Sequence, residues 1–562
     1  MWFDAGGIYN RGTLALNNCT VSGNTAGNGG GIYNSGNLTL NRSTVEENAT
    51  CNGDDGDDGG HGGGIYNWEG DLTLTSSTVS GNHTGAGGSG SGDGGDGGDG
   101  GGIYNQGDLT LTDSTVSDNS TGDGSACTGV ECEGGHGGYG GGIYNQGDLT
   151  LTDSTVSDNS TGDGGACTGD NCMGGYGGYG GGVYNQGDLT LTGSTLSGNG
   201  TGSGGDGEVE GDDGYGGGLC SSGSNPTLTN VTISGNTAAG HGGGIYHREG
   251  YTLTLTNCTI TDNTADSDND GRGDGGGICR DSGTVNFKNT ILAGNTDPTS
   301  APDCAGTLTS QDYNLVGDNS GCTFTPQTHD QVGTGVTIDP KLGPLANNGG
   351  PTETHALLTG SPALEYIPPI SCTVATDQRG VTRPQPTGGN CDIGAYEAAA
   401  PPTAESTDSV GIGQDTYTVA ETVYGTGSGF IPDTNVDVYI VGDRAWNDGD
   451  AIPADVSGDG MNPGVPTDAT GNLGPADVWP PPLTPGEYDM VFDANQNGVY
   501  DAAIDVVDDP NHPGFVVQRA VPVGGVILPV NKLGLLVPWL GLAALASLAV
   551  FTVALVRRRR SA

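Results

Sequence analysis

The sequence predicts an all-β chain: a parallel β-helix of about nine or more rungs, followed by a small β-sandwich and one C-terminal transmembrane helix. Three observations predict it. A phrase of two fixed halves recurs nine times, Gly-Gly-Gly-Ile-Tyr-Asn as in Gly62–Asn67 and Leu-Thr-Leu-Thr-x-Ser-Thr-Val-Ser-x-Asn as in Leu109–Asn119, and such a repeat is the signature of a stacked architecture. Within the phrase apolar and polar residues alternate, Leu149 and Leu151 against Thr150 and Thr152, and no stretch of the repeats has a helical period. Near the end, 24 uncharged and mostly apolar residues, Leu533–Val556, run directly into Arg557–Arg560.

The first half is centred on Ile8, Ile32, Ile65, Ile103, Ile143, Val183, Leu219, Ile245 and Ile278, the second on Val21, Val45, Val79, Val116, Val156, Leu196, Ile233, Ile260 and Ile291. The step from first to second is 13 residues in six repeats, 14 in two and 15 in one, whereas the step onward varies from 11 to 27. Each repeat therefore has a rigid part and a tolerant corner, so that inserted length leaves the stack along a single edge. The shortest unit, 24 residues from Ile8 to Ile32, fits one coil of short strands and tight turns, and nine coils at ~4.8 Å each make a rod roughly 43 Å long. Over roughly residues 1–297 these halves, Gly-Gly-Gly-Ile and Val-Ser-Gly-Asn, resemble the Gly-Gly-Ala-Ile and Phe-x-x-Asn motifs of polymorphic outer-membrane-protein repeats, and the pectin-lyase-like superfamily generally. The resemblance implies a right-handed parallel β-helix; Val, Leu or Ile stands where those repeats carry Phe.

Several columns repeat with the phrase. Asn10, Asn34, Asn67, Asn105, Asn145 and Asn185 follow the Tyr, and Asn24, Asn48, Asn82, Asn119, Asn159, Asn199, Asn236, Asn263 and Asn295 close the repeats. Asn tolerates left-handed backbone and bonds its neighbours in turns, so both columns read as ladders that hold corners, with ligand binding as the other reading. The Tyr column, Tyr9, Tyr33, Tyr66, Tyr104, Tyr144, Tyr184 and Tyr246, points outward if the Ile points in, and either stiffens the rod by stacking or offers rings to sugars. His61 and His241 precede equivalent Gly runs five rungs apart, about 24 Å, too far to share a metal, and read as exposed. The Gly/Asp stretches around Asp54–Asp58 and Asp93–Asp99 show no fixed spacing and read as disordered.

Glycine is a fifth of the chain, 112 of 562 residues, and the formal charge is −51. Such a surface repels nucleic acid and anionic lipid and attracts cations, so no nucleic-acid partner is expected. Thirteen Cys point to an oxidising compartment. Residues 101–140 and 141–180 differ at only five places, and Cys127/Cys132 and Cys167/Cys172 persist in both. Local disulfides across exposed loops are the simplest reading and a four-thiolate metal site between adjacent loops the alternative; Cys304/Cys322 and Cys372/Cys391 are further candidate pairs. Cys220 and Cys279 stand in the Tyr column two rungs apart, about 9.6 Å and beyond the ~7 Å reach of a disulfide. Met1-Trp2-Phe3-Asp4 runs straight into a repeat with no export signal, so earlier rungs are expected to be missing.

Residues 298–400 lose the repeat. They carry Asp339-Pro340-Lys341-Leu342-Gly343-Pro344-Leu345, Asn348-Gly349-Gly350-Pro351-Thr352, Gly360-Ser361-Pro362-Ala363, Thr376-Asp377-Gln378-Arg379-Gly380 and Cys391-Asp392-Ile393-Gly394-Ala395-Tyr396-Glu397. This run closely resembles the choice-of-anchor Q domain, which implies display on a cell surface and implies no reaction. Physically the segment reads as final rungs plus a cap, with Asp377, Arg379 and Arg383 in a structural ion pair. A linker spans 401–409. Over 410–520, apolar runs such as Val436–Val441 and Tyr488–Phe492 alternate with Pro and Gly turns, the pattern of a small β-sandwich. Leu533–Val556 (533–556) reaches about 36 Å as a helix, enough for a hydrocarbon core of about 30 Å. The basic tail 557–562 then stays in the cytoplasm and everything before it faces out, which makes a single-pass cell-surface protein.

Calcium is the expected ligand, as a structural ion. Asp266, Asp268, Asp270 and Asp274, with Gly271 for the sharp turn, set hard oxygens at alternating positions, and Asp493, Asn495, Asn497 and Asp501 with Gly498 repeat the pattern. Asp455-x-Ser457-x-Asp459-Gly460 is a weaker third, and plain acidic turns are the alternative. The function expected is a non-catalytic display or adhesion rod that meets carbohydrate or protein at the cell surface. The alternative is a secreted-type polysaccharide lyase or glycoside hydrolase, because many right-handed β-helices are such enzymes. Against a lyase, only Arg11, Arg42, Arg248, Arg272, Arg280 and Lys288 are available in the repeats, without a cluster; for a hydrolase, stacked carboxylates such as Asp108 and Asp148 offer pairs.

Overall fold

The computed structural model describes residues 5–90, 92–298, 301–385, 388–398, 403–430, 434–447, 449–457, 462–468, 471–500, 505–509 and 513–518. They fall in two compact units, 1–400 and 401–562.

In the first unit the chain coils through three long sheets. The Ile face holds eleven strands from Ile8–Asn10 to Cys322–Thr323, the Leu face ten from Thr13–Asn17 to Thr309–Ser310, and the Val face eleven from Thr20–Ser22 to Gln331–Val332. Neighbours are parallel and in register: Ile103 lies beside Ile143, Leu111 beside Leu151, and Val116 beside Val156. This is a parallel β-helix, and it goes on past the ninth repeat as far as Val332. Alternation decides the register, since a slip of one residue would turn a whole apolar column to water. Ile65, Ile103, Leu74, Leu111, Val79 and Val116 are all fully buried inside the coil, each worth roughly 1.5–3 kcal/mol of hydrophobic stabilisation.

Where the chain leaves the Val face, at the mouth of the tolerant corner, the closing Asn residues form a ladder. Asn82 donates its backbone N–H and its Nδ2 to Asn119 Oδ1 at 3.0 and 2.9 Å, and Asn119 Nδ2 donates onward to Asn159 Oδ1 at 2.9 Å and to the Val79 carbonyl at 3.0 Å. The ladder ends on Asp303, whose Oδ1 accepts the two corresponding donors of Asn295. The residue before each Asn lies in the left-handed region, which favours Gly or Asp as at Gly81, Asp118, Asp158 and Gly198, although Glu47 also adopts it. A second ladder links Asn10 to Asn185 through side-chain amides at 2.6–2.8 Å.

The tolerant corner corrects one expectation. The Gly/Asp stretches are ordered, and they have a spacing of three. Asp93, Asp96 and Asp99 are followed one coil later by Glu133, His136 and Tyr139, then by Met173, Tyr176 and Tyr179, with two glycines inside each interval. Gly95 N–H donates to the Gly88 carbonyl at 3.1 Å and Gly98 N–H to Gly85 at 2.9 Å within one loop, while Gly94 and Gly97 donate to Glu133 and His136 of the next at 2.8 Å. A Cβ at Gly98 would run into the Gly60 carbonyl oxygen, and one at Gly138 into that of Gly98. Only glycine admits such contact, as at the axis of a three-residue-per-turn triple helix. The disorder reading failed because low hydrophobicity and high charge say nothing about backbones that satisfy each other.

Past Val332 the chain folds back along the Val face rather than closing only the end of the coil. A hairpin of Leu342–Ala346 and Thr354–Leu357 leads this segment. The Thr352 hydroxyl donates to the Gly193 carbonyl at 2.8 Å, His355 meets the Ser234 hydroxyl at 2.8 Å, and Ala395 N–H donates to Thr259 Oγ1 at 3.0 Å. Leu357, Ile367 and Ile393 pack on Ile291 and Ala293. Asp377 pairs with Arg379 at 2.7 Å, and Arg383 with Glu397 at 2.8 Å in full burial. The four expected disulfides are closed, Cys127–Cys132, Cys167–Cys172, Cys304–Cys322 and Cys372–Cys391, which leaves Cys19, Cys51, Cys220, Cys258 and Cys279 as thiols.

In the second unit, antiparallel strands Thr403–Thr407, Val423–Ser428 and Leu473–Trp479 form one sheet, and a six-stranded sheet around Asn435–Gly442 and Gly486–Asp493 forms another. Val423, Leu473 and Trp479 of the first share a core with Val438, Tyr488, Phe492 and Phe515 of the second, as in a sandwich. The apolar run 533–556 and the tail 557–562 lie outside the described residues; among those described, no helix is long and apolar enough to cross a membrane.

Candidate metal centre

The loop Asp266–Asp274 joins the eighth and ninth repeats. Its backbone is shaped by its own carboxylates: Asp266 Oδ1 accepts Gly271 N–H at 3.1 Å, Asp268 Oδ1 accepts Asp270 N–H at 3.4 Å, and Asp270 Oδ1 accepts Arg272 N–H at 2.9 Å. Asp266 is buried with a left-handed backbone, and Asp274 stands beside His241, 3.9 Å from its Nδ1. Asp268 and Asp270 instead reach a residue that the sequence reading had not singled out. One carboxylate oxygen each of Asp213, Asp268 and Asp270 lie within 4.8 Å of one another. Asp213 belongs to the loop between the sixth and seventh repeats, more than 50 residues away in the chain, so no local pattern could have found it.

The three acids line an open cleft of about 420 Å³ together with Ser203, Glu210 and Arg272. Ser203 Oγ donates to Asp268 Oδ2 at 3.2 Å. Arg272 pairs with Glu210 and lies 3.1 Å from Asp270. Asp213 is only 6% exposed; its Oδ1 accepts Gly204 N–H at 2.8 Å, and its Oδ2 has no hydrogen-bond partner. Burial first, and then the charges of Asp268, Asp270 and Asp212, hold the Asp213 carboxyl up to about 6. An all-oxygen donor set suits a hard cation of the calcium class.

The second expected set is only partly described. Asp493 is fully buried and accepts Gly498 N–H at 2.8 Å and Asn497 N–H at 3.3 Å; Asn495 Oδ1 also accepts Asn497 N–H, at 3.3 Å; and Asn497 Oδ1 accepts Val499 N–H at 2.7 Å. Asp501 lies outside the described residues, as do Asp459 and Gly460 of the weaker third set, in which Asp455 Oδ1 accepts Ile440 N–H at 2.8 Å.

The Tyr column is not a sugar platform along its length. Tyr66, Tyr104, Tyr144, Tyr184 and Tyr246 are buried, and neighbouring rings from Tyr9 to Tyr184 stack at 4.8–5.2 Å, so their faces are already occupied. Loop rings Tyr139, Tyr179 and Tyr215 stack beside them. His61 and His241 stand in this loop column and are about one-third exposed, each next to an Asp of the following loop.

No protein-family model matches the chain. No curated protein matches it either.

Proposed function

We propose that this chain is a non-catalytic display or adhesion rod of a cell surface, a right-handed β-helix of the pectin-lyase-like kind. Its repeats resemble those of polymorphic outer-membrane proteins, its following segment resembles a choice-of-anchor Q domain, and the apolar run 533–556 holds it in the membrane. It carries structural calcium and meets carbohydrate or protein partners. One observation carries the reading. The outward faces repeat the same residues in register, such as Thr110, Thr150 and Thr190 on the Leu face and Thr78, Thr115 and Thr155 on the Val face. Copies of one hydroxyl pattern at steps of about 4.8 Å make a polyvalent surface, and weak contacts multiplied along it give avidity.

The hydrolase alternative has one observation in its favour. Asp108 and Asp148 precede adjacent paired strands, a spacing close to the ~5–5.5 Å of retaining glycosidases. The same acid recurs at Asp108, Asp148 and Asp188 before strands in register, however, so that no one pair is singled out for a bond. The test is to incubate the protein with calcium against a polysaccharide panel and to measure retention and new chain ends together. Retention without new ends is expected; new ends that vanish in Asp108→Asn/Asp148→Asn would replace the rod with an enzyme.

A further inference from the structure

We infer that one calcium ion binds across two loops of the stack, held by Asp213 from the loop between the sixth and seventh repeats and by Asp268 and Asp270 from the loop between the eighth and ninth. The inference rests on the calcium reading above, and it changes the ligand set from one within a single loop to one shared by two.

The argument begins with chain length. The step from Ile233 to Ile245 is 12 residues, whereas the steps on either side, Leu196 to Leu219 and Ile260 to Ile278, are 23 and 18. The short loop therefore leaves a notch in the tolerant edge between two longer loops. Residues two coils apart are normally about 9.6 Å apart, too far for first ligands of one ion at 2.3–2.6 Å. Here the notch lets the flanking loops meet. Gly240, in the short loop, donates its N–H to the Gly214 carbonyl at 2.9 Å and accepts Asp266 N–H at 3.1 Å, so it touches both neighbours. A Cβ at Gly240 would lie 2.5 Å from the Tyr215 ring and 3.2 Å from the Asp213 side chain. The tip at Asp268–Arg272 bends over this glycine and brings its carboxylates to Asp213.

An acidic cluster alone would mean little in a chain of net charge −51. The second observation is Asp213 Oδ2, which is buried and without a partner; among the described residues of the coil it is the one carboxylate oxygen so placed, the other unpartnered buried acceptors belonging to Ser221, Asn230, His247 and Asn289. A buried carboxylate oxygen without a donor is costly, and a divalent ion at the cleft would supply what it lacks. Arg272 is a partial substitute, since its one charge bridges Asp270 and Glu210 but makes no bond to Asp213. The oxygens gathered here include no nitrogen or sulfur ligand, which disfavours zinc and copper, and loop-borne carboxylates with room for water fit calcium better than the strict octahedron of magnesium.

The test is hydrogen–deuterium exchange on the full chain with and without millimolar calcium chloride, read in peptides covering 200–216 and 264–275. Calcium is expected to slow exchange in both loops at least tenfold. Asp213→Asn and the exposed Asp268→Asn are each expected to abolish the effect in both loops, while Asp274→Asn leaves it unchanged. Agreement between the two ligand variants guards against a folding defect in either. Protection of 264–275 alone, lost in Asp266→Asn but kept in Asp213→Asn, would overturn the shared site and leave the calcium reading standing. No protection in either loop would overturn both.

Discussion

The rigid part of each coil and its tolerant corner satisfy their peptide groups in opposite ways. Where the rigid part ends and the chain leaves the Val face, a side chain does it: one Asn per coil bonds the coil behind and the coil ahead, and the interval before it barely varies. The tolerant corner, which begins just past that Asn, does it with bare backbone, glycine against glycine, and its length ranges more than twofold. The difference teaches that a turn held by side-chain geometry fixes length, whereas one held by stacked peptide groups fixes only a period of three. Side chains can then be gathered where length is free, as at the Asp213 notch.

Asn119→Ala should loosen the end of the rigid part most severely. It strands the backbone N–H of Asn82, takes one of three acceptors from its Nδ2, and removes the Asn119 Nδ2 bonds to Asn159 and Val79, and buried unsatisfied groups cost ~1–3 kcal/mol each. A loss of about 3–5 kcal/mol in unfolding free energy is expected from denaturant titration. A loss under about 1 kcal/mol would show that the ladder is an ornament of the stack and not its fastening. Within the tolerant corner, Gly138→Ala places a methyl against the Gly98 carbonyl and Thr121, with rigid backbone as the obstacle. Overpacking of this kind costs roughly 2–3 kcal/mol. Gly92→Ala, which meets nothing within 4 Å, is the control and should be neutral. Equal tolerance at both glycines would mean that the loops are looser than their bonding implies.

These corners also mark what could be read in the sequence. The coil was legible because apolar columns and closing Asn residues recur at fixed steps, and the four disulfides because each pair is local. The glycine stack was missed although Asp93, Asp96 and Asp99 announce its period, because composition was weighed before spacing. Tyr rings were correctly sent outward by alternation but are buried all the same, since loops from the tolerant corner cover them. Asp213 was invisible for a deeper reason: it joins Asp268 only because the loop between them is short, and a missing length leaves no motif.

A last prediction concerns what the tolerant corner allows its side chains to be. The residue before each glycine run is His61, then Asp99, Tyr139, Tyr179 and Tyr215. It need only offer an acceptor or a flat ring to the next coil: Asp99 N–H donates to His61 Nδ1 at 2.9 Å, and Tyr139 N–H to Asp99 Oδ1 at 2.8 Å. Unlike Asn, these residues titrate. Burial holds the Asp99 carboxyl up to about 6 from the usual 3.8, with His61 and the Tyr139 N–H opposing and Asp96 and Asp58 adding. The folded chain therefore keeps a proton that the unfolded chain has already released. This contribution is complete below about 3.8 and is lost as pH rises through about 6. With a side chain one-fifth exposed, the loss is discounted to about 1–2 kcal/mol. The stability difference between the wild type and Asp99→Asn, both in a His61→Gln background that leaves Asp99 as the compared group, should shrink by that amount from pH 4 to pH 7. A difference that stays flat or grows would place the Asp99 carboxyl at or below its ordinary range, and the loop column would then be as indifferent to pH as the Asn ladder.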